Sequence, residues 1–447
     1  MSDIQALPKT KDALHALVEQ VLHEARLAGA TAAEAAVSCN TGLSVNVRLG
    51  EVETLEYHQD QGVGVTVYLG QSKGSASTSD LSPAALKETV AAACRIARYT
   101  ANDPYAGLAD AALMAYTYPD LDLDHPWSLS AEEAIALARA CEDHARSVDA
   151  RITNSEGAGV DSFRGTAVYG NSHGFIGGYT STRHALSCTV IAQQDEDMQR
   201  DYWYSVARQA EGLASAHEIG SKAAQRALSR LGARQLSTRQ CPVLFSPEVA
   251  RSLIGHFIGA VRGGSLYRKA SFLLDSLGTQ VFPAQVRIHE APHIPMALGS
   301  APFDGEGVAI TARDLVRDGV VQGYVLSAYS ARRLNMQTTG NAGGVRNLSI
   351  DPTHLDQASL LAEMGTGLLV TELIGQGVNS VTGDYSRGAS GFWVENGVIA
   401  YPVHEITIAG NLREMFMHLV GIGGDIDPRG NIRTGSLLLE RMTLAGE

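Results

Sequence analysis

Leu43-Ser-Val-Asn-Val47 and, after a glycine-containing break, Gly62-Val-Gly-Val-Thr-Val67 each carry an apolar side chain at every second position. A period of two puts those side chains on one face of a strand, so residues 33–80 are expected to form an antiparallel meander with one buried face. Upstream, Leu14, Leu17, Val18, Val21, Leu22 and Ala25 recur at three- and four-residue spacing between Lys11 and Ala28. That is the stripe of an amphipathic helix, with His15, Glu19 and His23 on its wet side. Downstream, Ser82-Pro83 supplies an N-cap and a first-turn proline for a helix with Leu86, Val90, Ala93 and Ala97 inside.

The same alternation of patterns continues. Asn102 to Pro126 is rich in Pro and Asp and is expected to be an irregular connection. Ser130 with Glu133, and Ser215 with Glu218, form capping boxes for helices ending near Arg146 and Leu231. Between them, Gly-punctuated strands such as Thr166-Ala-Val-Tyr169 and Leu186-Ser-Cys-Thr-Val-Ile191 run from about residue 151 to 207. The polar stretch 232–240 precedes a new strand, Pro242-Val-Leu-Phe245, and a helix from Pro247 capped by Ser246. Beyond Leu277, short alternating runs and glycine turns dominate, with Asn396-Gly397 a two-residue hairpin signal, Ala328–Leu334 a helical segment, and a final helix at Leu412–Val420 capped by Asn411. The expected fold is α+β: an N-terminal domain (1–235) of helices on an antiparallel sheet, and a C-terminal β-rich domain (236–447) with a few helices.

Composition narrows function. The 447 residues contain 35 Lys plus Arg against 48 Asp plus Glu, a formal charge of −13 without a localised basic patch, which disfavours binding a phosphate backbone. The start has neither the basic nor the apolar region of a signal peptide, and no stretch approaches the length of a spanning helix, so a soluble, cytoplasmic protein without membrane partners is expected. Cys39, Cys94, Cys141, Cys188 and Cys241 are an odd number with no C-x-x-C pair, consistent with reduced thiols.

Several motifs carry possible chemistry. His289-Glu-Ala-Pro-His293 satisfies H-E-x-x-H, in which a helix sets two imidazoles a turn apart around zinc with the glutamate as general base. Pro292 and Pro295 each cost about 3 kcal/mol in a helix interior, and Gln285-Val-Arg-Ile288 has a strand pattern, so a strand end and loop are expected instead. Gly170-Asn-Ser-His-Gly174 matches the nucleophile elbow, but Phe175-Ile-Gly-Gly178 is a poor start for the helix that must follow; a β-turn exposing His173 is expected. Gly421-Ile-Gly-Gly-Asp425 follows a helix and lacks the Lys-Ser or Lys-Thr of a phosphate loop. His256, between Gly255 and Gly259, leaves room for close approach, though a lone helical histidine is ordinarily structural. Thr338-Thr-Gly-Asn-Ala-Gly-Gly344 offers backbone amides, with Thr339, Gly340, Asn341 and Gly343 as candidate contacts to a peptide main chain; a surface turn explains it equally.

Taken together, Pro247-Glu-Val-Ala-Arg-Ser-Leu-Ile-Gly-His256, Tyr267-Arg-Lys-Ala-Ser-Phe-Leu-Leu-Asp275, Ser300-Ala-Pro-Phe-Asp-Gly-Glu-Gly307, Tyr329-Ser-Ala-Arg-Arg-Leu334, the 338–344 cluster and Gly388-Ala-Ser-Gly-Phe-Trp393 make the chain resemble the PmbA (TldE) branch of the TldD/PmbA metalloprotease family, in order and over essentially its whole length. The resemblance implies one subunit of a TldD–TldE metalloprotease that degrades unfolded or short peptides, with links to peptide maturation and antitoxin turnover. In the TldD branch the zinc helix is H-E-x-x-x-H, and a cysteine near the C-terminus is the third ligand. Setting Gly255-His256 on the last two positions puts Arg251 at the first histidine and Ser252 at the general base; Thr434 stands in the region of the cysteine, and none follows Cys241. A guanidinium does not deprotonate to bind a cation, and a serine cannot take a proton as a carboxylate does. The resemblance therefore implies a chain with no catalytic residue or cofactor of its own, zinc in a TldD-type partner, and a dimer. The alternatives are a self-sufficient metallopeptidase using His289 and His293, and a non-proteolytic binding adaptor.

Overall fold

The computed structural model describes residues 7 and 9–446. The expected meander forms: α1 (Lys11–Leu27) precedes β1 (Ala32–Arg48), β2 (Glu51–Leu69) and β3 (Ser72–Thr78), and α2 (Pro83–Tyr99) follows. After the irregular connection come α3 (Ala131–Ser147), the long strands β4 (Ile152–Asn171), β5 (Ile176–Gln194) and β6 (Asp197–Ala207), then α4 (Ala216–Ser229). Both capping boxes close. The six strands pair antiparallel in the order β3-β2-β1-β4-β5-β6. Strand length lets one sheet face serve two cores: Ala33, Ala35 and Val37 of β1 pack with α1 and α2, whereas Leu43, Val45 and Val47 pack with α3 and α4.

Glu142 of α3 ties the helical layer to the β1–β2 turn. Leu49 and Gly50 take left-handed φ values of 51° and 80°. Their amides donate to the two carboxylate oxygens of fully buried Glu142 at 2.8 and 2.9 Å.

The remaining chain is also mixed, as the α+β expectation has it. β7 (Arg239–Phe245) leads into α5 (Pro247–Ala260) and the short α6 (Gly263–Tyr267). A small sheet contains β8 (Ile288–Glu290), β9 (Arg313–Arg317), β10 (Val320–Val321) and, beyond α7 (Ala328–Arg333), β11 (Leu348–Ile350). Then follow α8 (Gln357–Met364), β12 (Gly367–Ile374), β13 (Asp384–Glu395), β14 (Val398–Asn411), α9 (Leu412–Met417), β15 (Leu419–Ile422), β16 (Ile432–Arg433) and β17 (Leu437–Ala445). The larger sheet has the order β14-β13-β12-β7-β17-β15, and Thr407–Ala409 of β14 pair back to β17, so five of its strands close on themselves. Phe245, Phe257, Phe282 and Phe416 fill the core beside it. Asn396 and Gly397, at φ 53° and 77°, make the expected hairpin.

Three details depart from expectation. The last helix stops at Met417 because Leu419, Gly421 and Ile422 pair with β17. α6 and α8 lack a long apolar stripe, and only Leu360, Leu361 and Met364 of α8 are buried. Ser246 stands at the N-cap of α5, but its hydroxyl is buried without a hydrogen-bond partner, and only its carbonyl accepts from Val249 and Ala250. No helix among the described residues is long and apolar enough to cross a membrane.

Glu142→Ala would leave the amides of Leu49 and Gly50 without their acceptor. Urea denaturation is expected to show a loss of about 2–4 kcal/mol, and Glu142→Gln, which keeps one acceptor, a smaller loss.

Candidate functional site

α5 forms because an N1 proline and a first-turn glutamate open it and Leu253, Ile254 and Phe257 bury one side. Its other residues are those the sequence singled out. Ser252 and His256 are four apart and share a face. Arg251 Nη1 lies 3.9 Å from Asp427 Oδ2. The Ser252 hydroxyl donates to Val249 O at 2.7 Å. His256 meets Tyr385 of β13 edge-on, ring centroids 6.0 Å apart, and its Nε2 is buried without a partner. Burial, and then the charge of Arg387, lower the imidazole's pKa, so the ring is neutral at pH 7. Ile432 of β16 lies against Gly255, while nearby Thr434 is buried and donates to Gly435 O.

Around α5 runs an ionic chain that joins the two large sheets. The Arg429 guanidinium donates twice to Asp427, at 2.7 and 3.0 Å, and once to Tyr204 O, and its backbone amide also donates to Asp427. Its guanidinium lies 4.2 Å from the Trp203 ring centroid and 4.3 Å from that of Tyr204, both on β6. Glu248 of α5 is 3.7 Å from Arg429 and 3.8 Å from Arg226 of α4. Arg226 and Arg230 share buried Asp201, and Arg230 continues to Glu372 of β12. Burial pushes the Asp427 carboxyl up, but Arg429 and Arg251 outweigh it and hold it below the usual carboxylate range. A cleft of about 280 Å³ opens beside this chain, lined by Ser252, Arg226, Arg230, Glu372 and Arg387 among others.

A structural or catalytic zinc ion takes three or four imidazole, thiolate or carboxylate ligands. At these α5 positions stand one imidazole, a hydroxyl occupied by its own helix, and a guanidinium already facing a carboxylate. Among the described residues no three His, Cys, Asp or Glu side chains converge as a metal site. The residues present do not fit zinc.

The other motifs lie in the following settings. His289-Glu-Ala-Pro-His293 begins on β8 and continues into a turn, as the prolines predicted. His289 Nδ1 is 2.6 Å from Asp314 Oδ1, buried Glu290 binds Arg313 and Asn341, and His293 Nε2 is 3.4 Å from Pro302 O. Gly170–Gly174 runs from the end of β4 into the β4–β5 turn, with His173 exposed. In the 338–344 loop, Thr339 Oγ1 accepts from Leu326 N, and Gly340 N donates to Thr338 Oγ1. Asn341 donates to Glu290 and Gly344 O and accepts from Arg313, while Gly343 holds a φ of 99°. The loop braces β8 from inside.

Two groups escaped sequence reasoning. The Arg429–Asp427 chain is one, because its members are scattered from residue 201 to 429. The other is a carboxylate pair on the far side of the first sheet: Glu34 accepts from Tyr68 and Tyr169 hydroxyls at 3.1 and 2.8 Å, and Glu306 accepts from Ala328 N at 2.8 Å, both lining one groove. Burial, reinforced by Asp304 and Glu34 against the Ala328 hydrogen bond, pushes the Glu306 carboxyl up to about 7.

Comparison with known proteins gives one answer along the chain. Residues 33–97 match the PmbA/TldA metallopeptidase domain 1, 124–231 its central domain and 238–446 its C-terminal domain. The chain is 53% identical over 415 residues to Metalloprotease PmbA of Escherichia coli O157:H7, covering 93% of this chain and 92% of that protein. Its fold superposes on a crystal structure described as a putative modulator of DNA gyrase from Bacteroides thetaiotaomicron, at 28% identity and TM-score 0.93 over 98% of this chain and all of that one. TldE from Thermococcus kodakarensis has the same fold, at TM-score 0.85 and 18% identity over 96% of this chain and all of that one.

Arg429→Ala would leave Asp427 buried and short of its main partner. A loss of about 3–5 kcal/mol in denaturant titrations is expected, with Arg429→Lys recovering only part, since an ammonium cannot bind bidentately and stack. For Glu306 the sign runs the other way. Its folded value near 7 exceeds the ordinary 4.5, so the stability it contributes below pH 4.5 declines as pH rises towards 7. Glu306→Gln is therefore expected to stabilise the protein at pH 8 by about 3 kcal/mol, and melting curves of the two proteins should converge near pH 4.5.

Proposed function

Because the chain belongs to the TldD/PmbA metallopeptidase family, we propose that it is the non-catalytic, TldE-type subunit of a cytoplasmic heterodimeric metalloprotease. Its TldD-type partner carries the zinc and hydrolyses unfolded or short peptides, in peptide maturation and antitoxin turnover. The carrying observation is α5 itself. Where a zinc helix would need an imidazole and a carboxylate, Arg251 faces Asp427 and the Ser252 hydroxyl is bound to Val249 O. Neither group can generate hydroxide from a metal-bound water. What this chain contributes is a fixed surface: the helix is held by Asp427, Arg429 and Glu248, so it can complete a chamber without contributing to bond cleavage. The two family domains that meet at Arg429 support a positioning role for the same reason.

The test is reconstitution. The purified chain alone should contain no stoichiometric zinc and cleave no unfolded peptide. Co-expression with the TldD-type chain of the same organism should give a co-purifying complex whose peptidase activity is lost on chelation. One zinc per isolated chain, with activity abolished by His256→Ala or His293→Ala, would overturn the proposal. Failure of the two chains to co-purify would remove the pairing.

A further inference from the structure

Charge is segregated along this acidic chain. Against 35 Lys and Arg it carries 48 Asp and Glu, yet no carboxylate occurs between Glu248 and Asp275 or between Asp318 and Asp351. α6 and α7 belong to these two stretches, and the fold lays them side by side, with the Tyr267 and Tyr329 rings edge-on and their centroids 5.9 Å apart. The Arg333 guanidinium lies 5.0 Å from the Tyr267 ring centroid and 4.8 Å from that of Tyr105, which comes from the irregular connection in the first half of the chain. Arg268 lies 5.5 Å from Tyr267. Arg262, Arg268, Lys269 and Arg333 are exposed, and none of the four has an ion pair among the described residues. No run of basic residues marks this surface in the sequence; folding assembles it from separate segments.

The surface is anchored from behind. Tyr329 donates its hydroxyl to Asp103 at 2.9 Å, and Arg332 donates to the carbonyls of Tyr105, Gly107 and Leu108 at 2.8, 2.6 and 2.9 Å. Arg332 thus holds the connection against α7 while Arg333, its neighbour, stays exposed. Asp103 is held below the usual carboxylate range by the Tyr105 amide, by the Tyr329 hydroxyl and then by the charges of Arg333 and Arg332, so it offsets one cation and leaves the others in excess. A guanidinium lying over aromatic rings has its plane fixed and its N–H edge free, which lowers the entropy lost when it takes an anion. A carboxylate fits that edge with two parallel hydrogen bonds. Tyr and Arg are also the residues that anchor protein interfaces. A phosphate offers the same acceptors, but a nucleic-acid strand would run on over a chain of net charge −13, whereas a short acidic segment meets the local excess alone.

We propose that the surface of α6 and α7 around Arg268 and Arg333 is a docking site for a short carboxylate-rich segment of a partner protein, whose side chains take the outward N–H edges of the two guanidinium groups. The site uses nothing on the polar face of α5. It belongs to the isolated chain and stands whether or not a TldD-type subunit binds, so its test and the reconstitution test fail separately.

Fluorescein-labelled hexaglutamate, hexaglutamine and a short oligothymidylate, each titrated with the full-length chain and followed by anisotropy, separate the possibilities. A saturable rise is expected with hexaglutamate at low salt, falling as salt is added because exposed charges are screened over about 10 Å at 0.1 M. Hexaglutamine should not bind, and the oligothymidylate should bind more weakly than hexaglutamate. Arg268→Gln and Arg333→Gln should each weaken the hexaglutamate complex by about two- to fivefold, and the two together by about tenfold. Arg146→Gln with Arg441→Gln removes the same charge from exposed positions on α3 and β17 and should leave the affinity unchanged. Melting curves check that each variant folds, and Arg268→Gln, which lies beyond the end of α6, carries the comparison if Arg333→Gln unsettles α7. The proposal is overturned if hexaglutamate fails to bind saturably, if hexaglutamine or the oligothymidylate binds as tightly, if the folded site variants bind like the parent, or if the distant arginine pair weakens binding as much as the pair at the site.

Discussion

One guanidinium holds the functional region together. Arg429 is largely buried, where an isolated charge would be prohibitively costly, and it is accepted there because Asp427 takes two of its protons, Tyr204 O a third, and the Trp203 and Tyr204 rings cover its faces. Trp203 and Tyr204 belong to the first sheet, whereas Asp427 and Arg429 lie between strands of the second half. The contact therefore fixes β6 against α5, and the rest of the ionic chain, through Glu248, Arg226, Asp201, Arg230 and Glu372, extends the same constraint along the junction. A buried network of this kind contributes more to a unique arrangement than to net stability, because its desolvation cost offsets much of its attraction.

Within that arrangement the polar side chains of α5 find their partners in the chain or stay packed against it. Arg251 faces Asp427, so its charge is matched within the chain. His256 stays packed against Tyr385, neutral because burial lowers its pKa. The helix keeps its position through Leu253, Ile254 and Phe257, which sit in the core and are indifferent to what the exposed side carries. Core packing thus sets the frame of the helix independently of the side chains on its polar face.

Much of the fold could be read from local pattern. Val45 and Val47, Val63 to Val67, the two capping boxes and Asn396-Gly397 all behaved as their spacing predicts, since period, caps and left-handed turn residues act within a few positions. The prolines of 289–293 likewise argued for the strand end and turn that the motif occupies. Local pattern failed where pairing decided the outcome: Leu419 to Ile422 joined β17 instead of extending a helix. It failed again for α6 and α8, whose few buried residues leave little periodicity to detect. At the 338–344 loop, composition correctly marked backbone special enough to need glycine, and the structure adds that the Thr339 and Asn341 amides donate to Leu326 O and the Asn341 side chain to Glu290.

By itself the sequence determined the α+β class, the order of the elements and the placing of Arg251, Ser252 and His256 on one helix, because each of these is a property of neighbouring residues. Only the tertiary structure decided that Arg429 would meet Trp203, that Glu34 and Glu306 would share a groove, and that His256 would pack edge-on against Tyr385. These groups lie up to hundreds of positions apart, and nothing local records which distant charges will be buried together. Their chemistry comes from proximity and desolvation, which exist only once the two large sheets are packed.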